Sequence, residues 1–457
     1  MANTIKQKRG TTDPGASDLV VGELAINTTD GGVFTKTDGG TVVEVGAGGL
    51  TNNSTATTSL GVGTNALDSE TSSGEDNTAF GYDAGTAITD GQDNTAIGNN
   101  ALKAITTNDQ CTAVGGGALQ AQTGGNTTAV GYNAGVLQTT GTHNTYMGWY
   151  AGFGSGTTSG VVNTYLGAMS GYSSSSGSSN VGVGYQTLYN NTTGYENVAA
   201  GREALRANTT GGLNTSIGYK ALTSNTTGLR NVGIGYQAGD SITTGQDNIC
   251  IGYIAGNTLT TGGHLIAIGS EAGRVATSGA NVFIGASAGR NTTNAWGLTY
   301  VGPNAGQNAT GFQNTLIGAS AGYSATGGQN TCVGYQAGDV ITSGSNNLVL
   351  GYTADASSAT VSNEITIGNA SMTSLRIPGL QSGASNGQVL TYNSTDGDLE
   401  LADVSATVAS GAIYENSQNI SANYSITSGK NAMSAGPITI DSGVTVTVTS
   451  GCTWTVV

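Results

Sequence analysis

Asn231-Val232-Gly233-Ile234-Gly235-Tyr236-Gln237-Ala238-Gly239 is one copy of a unit that recurs along the chain. An aliphatic residue precedes the glycine at 235, which serves here as the marker glycine, and alanine commonly follows three residues after it. Nineteen copies occur at steps of 16 to 19 residues, most often 17. Their marker glycines are Gly63, Gly81, Gly98, Gly115, Gly131, Gly148, Gly167, Gly184, Gly201, Gly218, Gly235, Gly252, Gly269, Gly285, Gly302, Gly318, Gly334, Gly351 and Gly368. A short, constant period predicts a solenoid, whose function depends on an elongated surface.

Positions in each copy are counted from the marker glycine. Position −3 is mostly β-branched and position −1 mostly aliphatic, as in Val232 and Ile234. Because side chains alternate along a strand, both positions share one face, and we expect them to line the core. Position −2 varies from Gly233 to Phe283 and Tyr300, so we expect it to point outward.

A coil of about 17 residues is too short for a helix and its crossover. We therefore expect two short strands and two turns in each coil, with Ser241-Ile242-Thr243-Thr244-Gly245 as an example of the second strand. Stacked coils rise about 4.8 Å each, so nineteen would extend over roughly 90 Å. The sequence thus predicts an all-β chain, a parallel β-roll solenoid of about nineteen repeats with small β-rich regions at both ends.

Asparagine dominates position −4. We expect a stacked row of amides that satisfies backbone groups in the turns; the alternative is a row that binds sugar. The row comprises Asn77, Asn94, Asn144, Asn163, Asn180, Asn197, Asn214, Asn231, Asn248, Asn281, Asn314, Asn330 and Asn347.

Aromatic residues often occupy position +1. Polar residues take their place in other copies, as Arg202 does, so this position must lie at a surface or interface. Stacking between coils is the favoured role, and glycan stacking is the alternative. The aromatic residues are Tyr82, Tyr132, Trp149, Tyr185, Tyr219, Tyr236, Tyr253, Tyr335 and Tyr352.

The composition excludes several functional classes. Charged residues make up 9% of the 457 residues, against about 25% in typical soluble domains, and there are 76 glycines. The regular aliphatic positions argue against disorder. A net charge of −15 with 13 Lys and Arg argues against nucleic-acid binding. No apolar run is long enough for a membrane helix, so we expect no membrane insertion.

No catalytic, cofactor-binding or metal site is predicted. His143 and His264 lie seven repeats apart, so they cannot form a triad or a metal cluster within one chain. Asp- and Asn-rich turns such as 90–94 lack the ligand spacing of a known calcium loop. We expect Cys111, Cys250 and Cys332 to be packed as small residues, and Cys452 either likewise or paired between chains.

Four regions are predicted. Residues 1–49 form a β-rich head of short strands and Asp/Gly turns, and residues 50–370 form the repeat shaft. Residues 371–410 are a Gly/Ser/Asn-rich linker, and residues 411–457 are a β-rich tip, a coarser β-helix or a trimeric end.

The repeat, with its pattern Asn-x-[Ala/Gly]-Ile-Gly-x-x-Ala, resembles the head repeats of trimeric autotransporter adhesins, as in residues 248–255. That resemblance covers about two thirds of the chain. It implies a left-handed parallel β-roll and a homotrimer, and a narrow coil with little core also gains by burying a side against partners. The 17-residue unit is longer than the family's usual one. Signal peptide, heptad stalk and anchor barrel are not found, which disfavours a secreted bacterial adhesin.

The N- and C-terminal regions of the chain resemble a different group of proteins. The start with Lys6, Lys8 and Arg9, the VGELAIN run at 21–27 and the TDGGTVVEVG run at 37–46 are similar to the N-terminal module of marine and cyanobacterial phage tail fibres. Residues 413–451 resemble C-terminal segments of marine phage structural proteins. This resemblance implies attachment to phage tail proteins through the N-terminal region.

The expected function is that of a structural phage tail fibre, without enzymatic activity, that mediates virion adhesion to the host by multivalent receptor binding. Its receptor would be a host surface glycan or outer-membrane protein. The protein would be made in the host cytoplasm, released by lysis and located in the virion. The alternatives are a bacterial trimeric surface adhesin and a polysaccharide-degrading tailspike.

Overall fold

The computed structural model describes residues 7–10, 24–27, 33–36, 42–44, 54, 56, 58–156, 158–376, 388–392, 399–403 and 418–457. Across these ranges the chain forms strands and turns, with no helix. It divides into two compact units, Met1–Ser371 and Met372–Val457. The strands are β1 (Gln7–Gly10), β2 (Leu24–Asn27), β3 (Val33–Lys36), β4 (Val42–Glu44), β5 (Leu60–Val62), β6 (Thr78–Phe80), β7 (Thr95–Ile97), β8 (Thr112–Val114), β9 (Thr128–Val130), β10 (Thr145–Met147), β11 (Thr164–Leu166), β12 (Val181–Val183), β13 (Val198–Ala200), β14 (Thr215–Ile217), β15 (Val232–Ile234), β16 (Ile249–Ile251), β17 (Ile266–Ile268), β18 (Val282–Ile284), β19 (Thr299–Val301), β20 (Thr315–Ile317), β21 (Thr331–Val333), β22 (Leu348–Leu350), β23 (Ile365–Ile367), β24 (Gln388–Tyr392), β25 (Leu399–Asp403), β26 (Asn419–Ile420), β27 (Tyr424–Ile426), β28 (Ala432–Ser434), β29 (Thr439–Ile440), β30 (Val446–Val448) and β31 (Trp454–Val456).

Strands β5 to β23 form the shaft, one strand to each repeat. Each strand pairs in parallel with the next along the chain, so that equivalent positions of successive repeats stand directly opposite each other. Val232 pairs with Ile249, and Ile234 pairs with Ile251. The expectation of an all-β parallel solenoid with about 17 residues per turn is confirmed.

The predicted orientation of the strands is wrong. Positions −3 and −1, expected in the core, lie half-buried or exposed, as Val232 and Ile234 do. Position −2, expected outside, points inward: Gly233, Phe283 and Tyr300 are buried. The physical reason is that a coil this narrow has room for only one inward side chain from each strand.

Position −2 varies because it shares its volume with position +4. Where position −2 carries a large ring, as at Tyr146 and Tyr165, position +4 is glycine, and a Cβ on Gly152 or Gly171 would overlap that ring. Where position +4 is leucine, position −2 is small, as with Ala199 and Leu205. The two positions therefore fill one layer of the core at native packing density.

The predicted second strand is absent from the described repeats. Residues 241–245 form turns and bends, although successive coils still exchange backbone hydrogen bonds there. The Thr243 amide donates to the Thr260 carbonyl at 2.8 Å, and the Thr226 amide donates likewise to Thr243. The chain bends at residues 241–245 because Ile242 is turned into the core.

The marker glycine makes close stacking possible. Gly235 has a φ of +130°, a region that side chains disfavour. A Cβ there would also overlap the carbonyl of Gly252 in the next coil. The strict recurrence of glycine at this position follows from these two constraints.

The other strands form small sheets. Strands β1 and β2 pair in parallel, and β2, β3 and β4 pair antiparallel. Within the expected linker, β24 and β25 form an antiparallel pair. Strands β26, β27 and β28 pair in parallel with β29, β30 and β31, which makes two coils of a β-helix with three strands per coil. This arrangement corresponds to the coarser β-helix considered for the C-terminal tip; the trimeric end stays a prediction.

Candidate interaction surface

The outward face of the shaft carries an apolar column along its length, at position −1. Positions −3 and −1, here called the outer aliphatic columns, run from β5 to β23 on this face; position −3 is threonine in ten of these nineteen strands and leucine, valine or isoleucine in the other nine. Contiguous apolar patches on soluble monomers rarely exceed a few hundred Å², and larger ones mark interaction sites. Half-buried or exposed residues at position −1 are Phe80, Ile97, Val114, Val130, Met147, Leu166, Val183, Ile217, Ile234, Ile251, Ile268, Ile284, Val301, Ile317, Val333, Leu350 and Ile367.

Position +1, the aromatic column, stacks from coil to coil. The rings of Tyr219 and Tyr236 have centroids 5.1 Å apart, and Tyr236 and Tyr253 follow at 5.4 Å. Arg202 continues this column as a cation, with its guanidinium 5.7 Å from the Tyr185 ring and 5.9 Å from the Tyr219 ring. Ladder stacking, the favoured interpretation, is therefore observed at these positions, and the arginine fits because it stacks on both rings.

A second aromatic ladder was not predicted. At position +5, Phe153 stacks on Tyr172 at 4.8 Å, and Tyr172 stacks on Tyr189 at 4.9 Å. Arg206 covers the far side of Tyr189 at 5.6 Å. The signal was present in the sequence, because these four residues occupy the same position of successive repeats. Their ring faces cover one another, so mainly their edges are open to a partner.

The asparagine row at position −4 is buried, as the amide interpretation predicts. The Asn231 amide N–H donates to Asn214 Oδ1 at 2.9 Å, and Asn231 Nδ2 donates to the Gly245 carbonyl at 2.8 Å. Each side chain thus satisfies one backbone donor and one turn acceptor, which rules out direct contact between this row and a sugar. The row begins at Ser59, whose hydroxyl accepts from the Asn77 amide, and ends at Glu364.

A shorter amide row was missed. Asn191, Asn208 and Asn225 lie at position +7 and are buried. Asn208 Nδ2 donates to Asn191 Oδ1 at 2.7 Å, and Asn225 Nδ2 donates to Asn208 Oδ1 at 2.9 Å. The "NTT" triplets of three consecutive repeats are the sequence signal for it.

The cysteines of the shaft are packed in the core, as expected. Cys111, Cys250 and Cys332 are free and buried. Burial raises the pKa of the Cys111 thiol to about 11 and the pKa of Cys250 and Cys332 to about 12. Because the thiolate is the reactive form, these three buried thiols are unreactive near neutral pH. Cys452 is half-buried and free, and the hydroxyl of Thr449 lowers its pKa.

Histidines and carboxylates occupy turns. His143 and His264 are exposed, and both have a positive φ. Asp90, in the turn considered for calcium, accepts a hydrogen bond from Thr71 Oγ1 at 2.5 Å. Asp355 lies close to Asp339; burial is the main reason that the pKa of Asp355 is raised, and the Asp339 charge adds to it.

Searches of the described residues found no group of three or more His, Cys, Asp or Glu that could hold a metal ion. Within the same residues, no helix has the length and apolar character needed to cross a membrane. Comparison of the chain with family models, curated proteins and solved structures returned no match.

Proposed function

We propose that this chain is the shaft-forming protein of a phage tail fibre, which assembles as a homotrimer and adheres to the host surface through many weak contacts. The carrying observation is the apolar column at position −1 of the outward face, which extends from β6 to β23. A face of this kind suits association with identical chains, because equivalent columns on each chain repeat at the same spacing.

The size of this face supports association between chains. Stable protein interfaces bury about 800 Å² on each partner. The outer aliphatic columns place exposed Ile217 and half-buried Ile234 and Ile251 side by side on successive coils. Repeated over nineteen coils, such a surface suffices for a stable interface and gains from being covered.

The remainder of the molecule fits an adhesive fibre. The functional value of the repeat is to set length and stiffness, since each coil stacks on the next through its parallel strand and its row of buried asparagines. A trimer presents three copies of each outward site, so weak contacts add through effective concentration. The net charge of −15 keeps such an assembly soluble.

The function is tested on phage particles. Mass spectrometry of purified virions of the source phage should detect this chain, and labelled full-length protein should bind host cells. Absence of the chain from virions, or failure to bind host cells, would contradict the proposal. Depolymerisation of host polysaccharide by the purified protein would place it among the tailspikes instead.

A further inference from the structure

Two aromatic side chains stand out at position −6, in the turn that leads into the asparagine row. Most coils carry glycine or a small or polar residue there, whereas Trp296 and Phe312 occupy it in successive coils. Both are about half exposed, at 54% and 50%. The described residues of this column are Glu75, Gln92, Asp109, Gly125, Thr142, Val161, Ser178, Tyr195, Gly212, Leu229, Gln246, Gly263, Gly279, Trp296, Phe312, Gly328, Ser345 and Ser362.

The two rings form a stacked pair. Their centroids lie 6.2 Å apart, and the ring planes differ by 13°. Phe312 in turn lies over Gly328, where an added Cβ would be 3.5 Å from the phenyl ring. Tyr195 covers Gly212 of the following coil in the same manner. Rings in this column therefore lean toward the next coil, so one face of Trp296 is turned to Phe312.

The other face of Trp296 is turned toward a coil that has no side chain at this position. Residues 277–281 stack on 294–298: the Asn294 amide donates to Thr277 Oγ1 at 3.1 Å, and the Leu298 amide donates to Asn281 Oδ1 at 3.1 Å. This register places Gly279 opposite Trp296. One coil earlier, the column is again glycine, Gly263. The two glycines place no side chain over this face of the indole. The ring faces of Tyr236 in the aromatic column and of Tyr172 in the Phe153 ladder, by contrast, are covered on both sides by neighbouring rings.

The surroundings of Trp296 are polar and nearly uncharged. From residue 275 to residue 338 the chain carries one charged side chain, Arg290, although the whole protein has a net charge of −15. Asn294 and Gln313 are exposed beside Trp296, and Gln313 lies over Gly297, where an added Cβ would be 3.4 Å from its Cγ. Gln313 can supply both a donor and an acceptor to a ligand, whereas Asn294 Oδ1 accepts from Thr277 Oγ1 at 2.7 Å, so Asn294 contributes its Nδ2 donor.

From this arrangement we infer that Trp296, supported by Phe312, is the stacking platform for a neutral pyranose ring of a surface glycan. A pyranose presents C–H groups on one face, which pack on the electron-rich face of an aromatic ring. Its hydroxyl groups then meet the amides of Asn294 and Gln313 at the rim. This binding mode matches the general design of small-ligand sites, with an apolar surface and a few orienting polar groups. The inference rests on the proposed adhesive function and names its ligand.

A protein partner suits this site less well. Two rings offer far less area than the roughly 800 Å² per partner of a stable protein interface. The outward face available to other copies of the chain lies at positions −3, −1 and +1, not at position −6. A single sugar ring matches the size of one indole face.

Full-length protein should be titrated with neutral hexose oligosaccharides, namely cello-, malto- and manno-hexaose, and with an anionic oligogalacturonate for comparison. At least one neutral oligosaccharide should bind and shift the tryptophan fluorescence. Trp296→Ala should weaken this binding at least tenfold, while Trp296→Phe should retain part of it. Tyr424→Ala is the matched control, because Tyr424 is similarly exposed, at 59%, and belongs to the C-terminal unit; this variant should bind as the unaltered protein does.

Two results would overturn the inference: that none of the neutral oligosaccharides binds, or that Trp296→Ala binds as tightly as the control. Adhesion to host cells separates this inference from the proposed function. If the unaltered protein and Trp296→Ala adhere equally well, the glycan platform is wrong and the fibre function stands. If the unaltered protein does not adhere at all, the fibre function itself fails.

Discussion

In each coil, the side chains at positions −2 and +4 share one space in the core, so a large residue at one position requires a small residue at the other. Tyr165 at position −2 faces Gly171 at position +4, whereas Ala199 in a later coil faces Leu205. Leu205 adopts a φ of 51°, so the backbone at position +4 is left-handed whether the residue is glycine or leucine. The identity of that residue is therefore set by the space that its partner leaves.

Gly171→Ala should destabilise the shaft by roughly 2–4 kcal/mol, because the new methyl group overlaps the Tyr165 ring and strains a positive φ. Tyr165→Ala alone should also destabilise it, by about 3–5 kcal/mol, through the cavity that it leaves. The double variant Tyr165→Ala, Gly171→Leu reproduces the Ala199 and Leu205 arrangement. Urea unfolding should show the double variant to be more stable than Tyr165→Ala; equal stability would mean that the two positions do not share a layer.

Two aspartates should respond to pH in opposite ways. Burial raises the pKa of Asp240 above its ordinary value of 3.8, whereas hydrogen bonding by Arg230 lowers the pKa of Asp247 below the same value. The ionised form of Asp240 opposes folding once the pH exceeds 3.8. The ionised form of Asp247 favours folding, and this contribution is lost as the pH falls through its lowered pKa.

At pH 7 the melting temperature should accordingly rise in Asp240→Asn and fall slightly in Asp247→Asn. The effect of Asp240→Asn should vanish near pH 3, below 3.8, where its carboxyl is protonated in both states. The effect of Asp247→Asn should shrink as the solution is acidified. Thermal unfolding between pH 3 and pH 7 measures both; shifts of the same sign at pH 7 would contradict the assignment.

At the scale of the element, the asparagine row supplies hydrogen bonds between successive coils, as a second sheet does in a wider solenoid. Each coil has only three strand residues, so most of its backbone polar groups lie in turns. Asn214 Oδ1 accepts from the Asn231 amide, and Asn214 Nδ2 donates to the Gly228 carbonyl at 2.9 Å. Buried backbone groups without a partner are costly, and the row supplies partners at the corner where each turn enters its strand.

Asn214→Ala should destabilise the coil by about 1–3 kcal/mol, because it leaves the buried Asn231 backbone N–H unpaired and removes one of the two hydrogen bonds to the Gly228 carbonyl. Asn291→Ala is the matched control: Asn291 is exposed, and its side chain bonds only to the side chain of Asn308 among the described contacts. The control should change stability by less than about 0.5 kcal/mol. Hydrogen exchange should be accelerated at the Asn231 amide in the first variant alone. Equal exchange in both variants would show that the row is dispensable.

At the scale of the whole molecule, the outward face makes the proposed assembly testable. Light scattering should give a mass three times the 45.2 kDa of one chain. The double variant Ile217→Glu, Ile234→Glu places two charges on adjacent coils of that face, and burying them against another chain is strongly unfavourable. It should therefore lower the mass toward that of one chain or cause aggregation, without loss of β-structure.

Thr227→Glu with Thr244→Glu is the control for this experiment. Both threonines are exposed in turns of adjacent coils, so the same charge is added away from the outward face. This control should retain the trimer mass. A monomer in the unaltered protein, or dissociation of both variants alike, would contradict association through the outer aliphatic columns.

The solenoid, its period and its amide row follow from the amino-acid sequence alone, because residues that recur at a constant spacing must stack when the strands pair in parallel. The choice between the two faces of each strand does not follow from it. Because side chains alternate along a strand, Val232 and Ile234 lie on the face opposite to Gly233. The sequence pattern does not determine which of these two faces is enclosed in the core. Only the closed coil decides this: its interior is too narrow for two aliphatic side chains from one strand, and it selects the residue whose volume fits the residue at position +4. The aliphatic pair is left outside, where other chains can cover it.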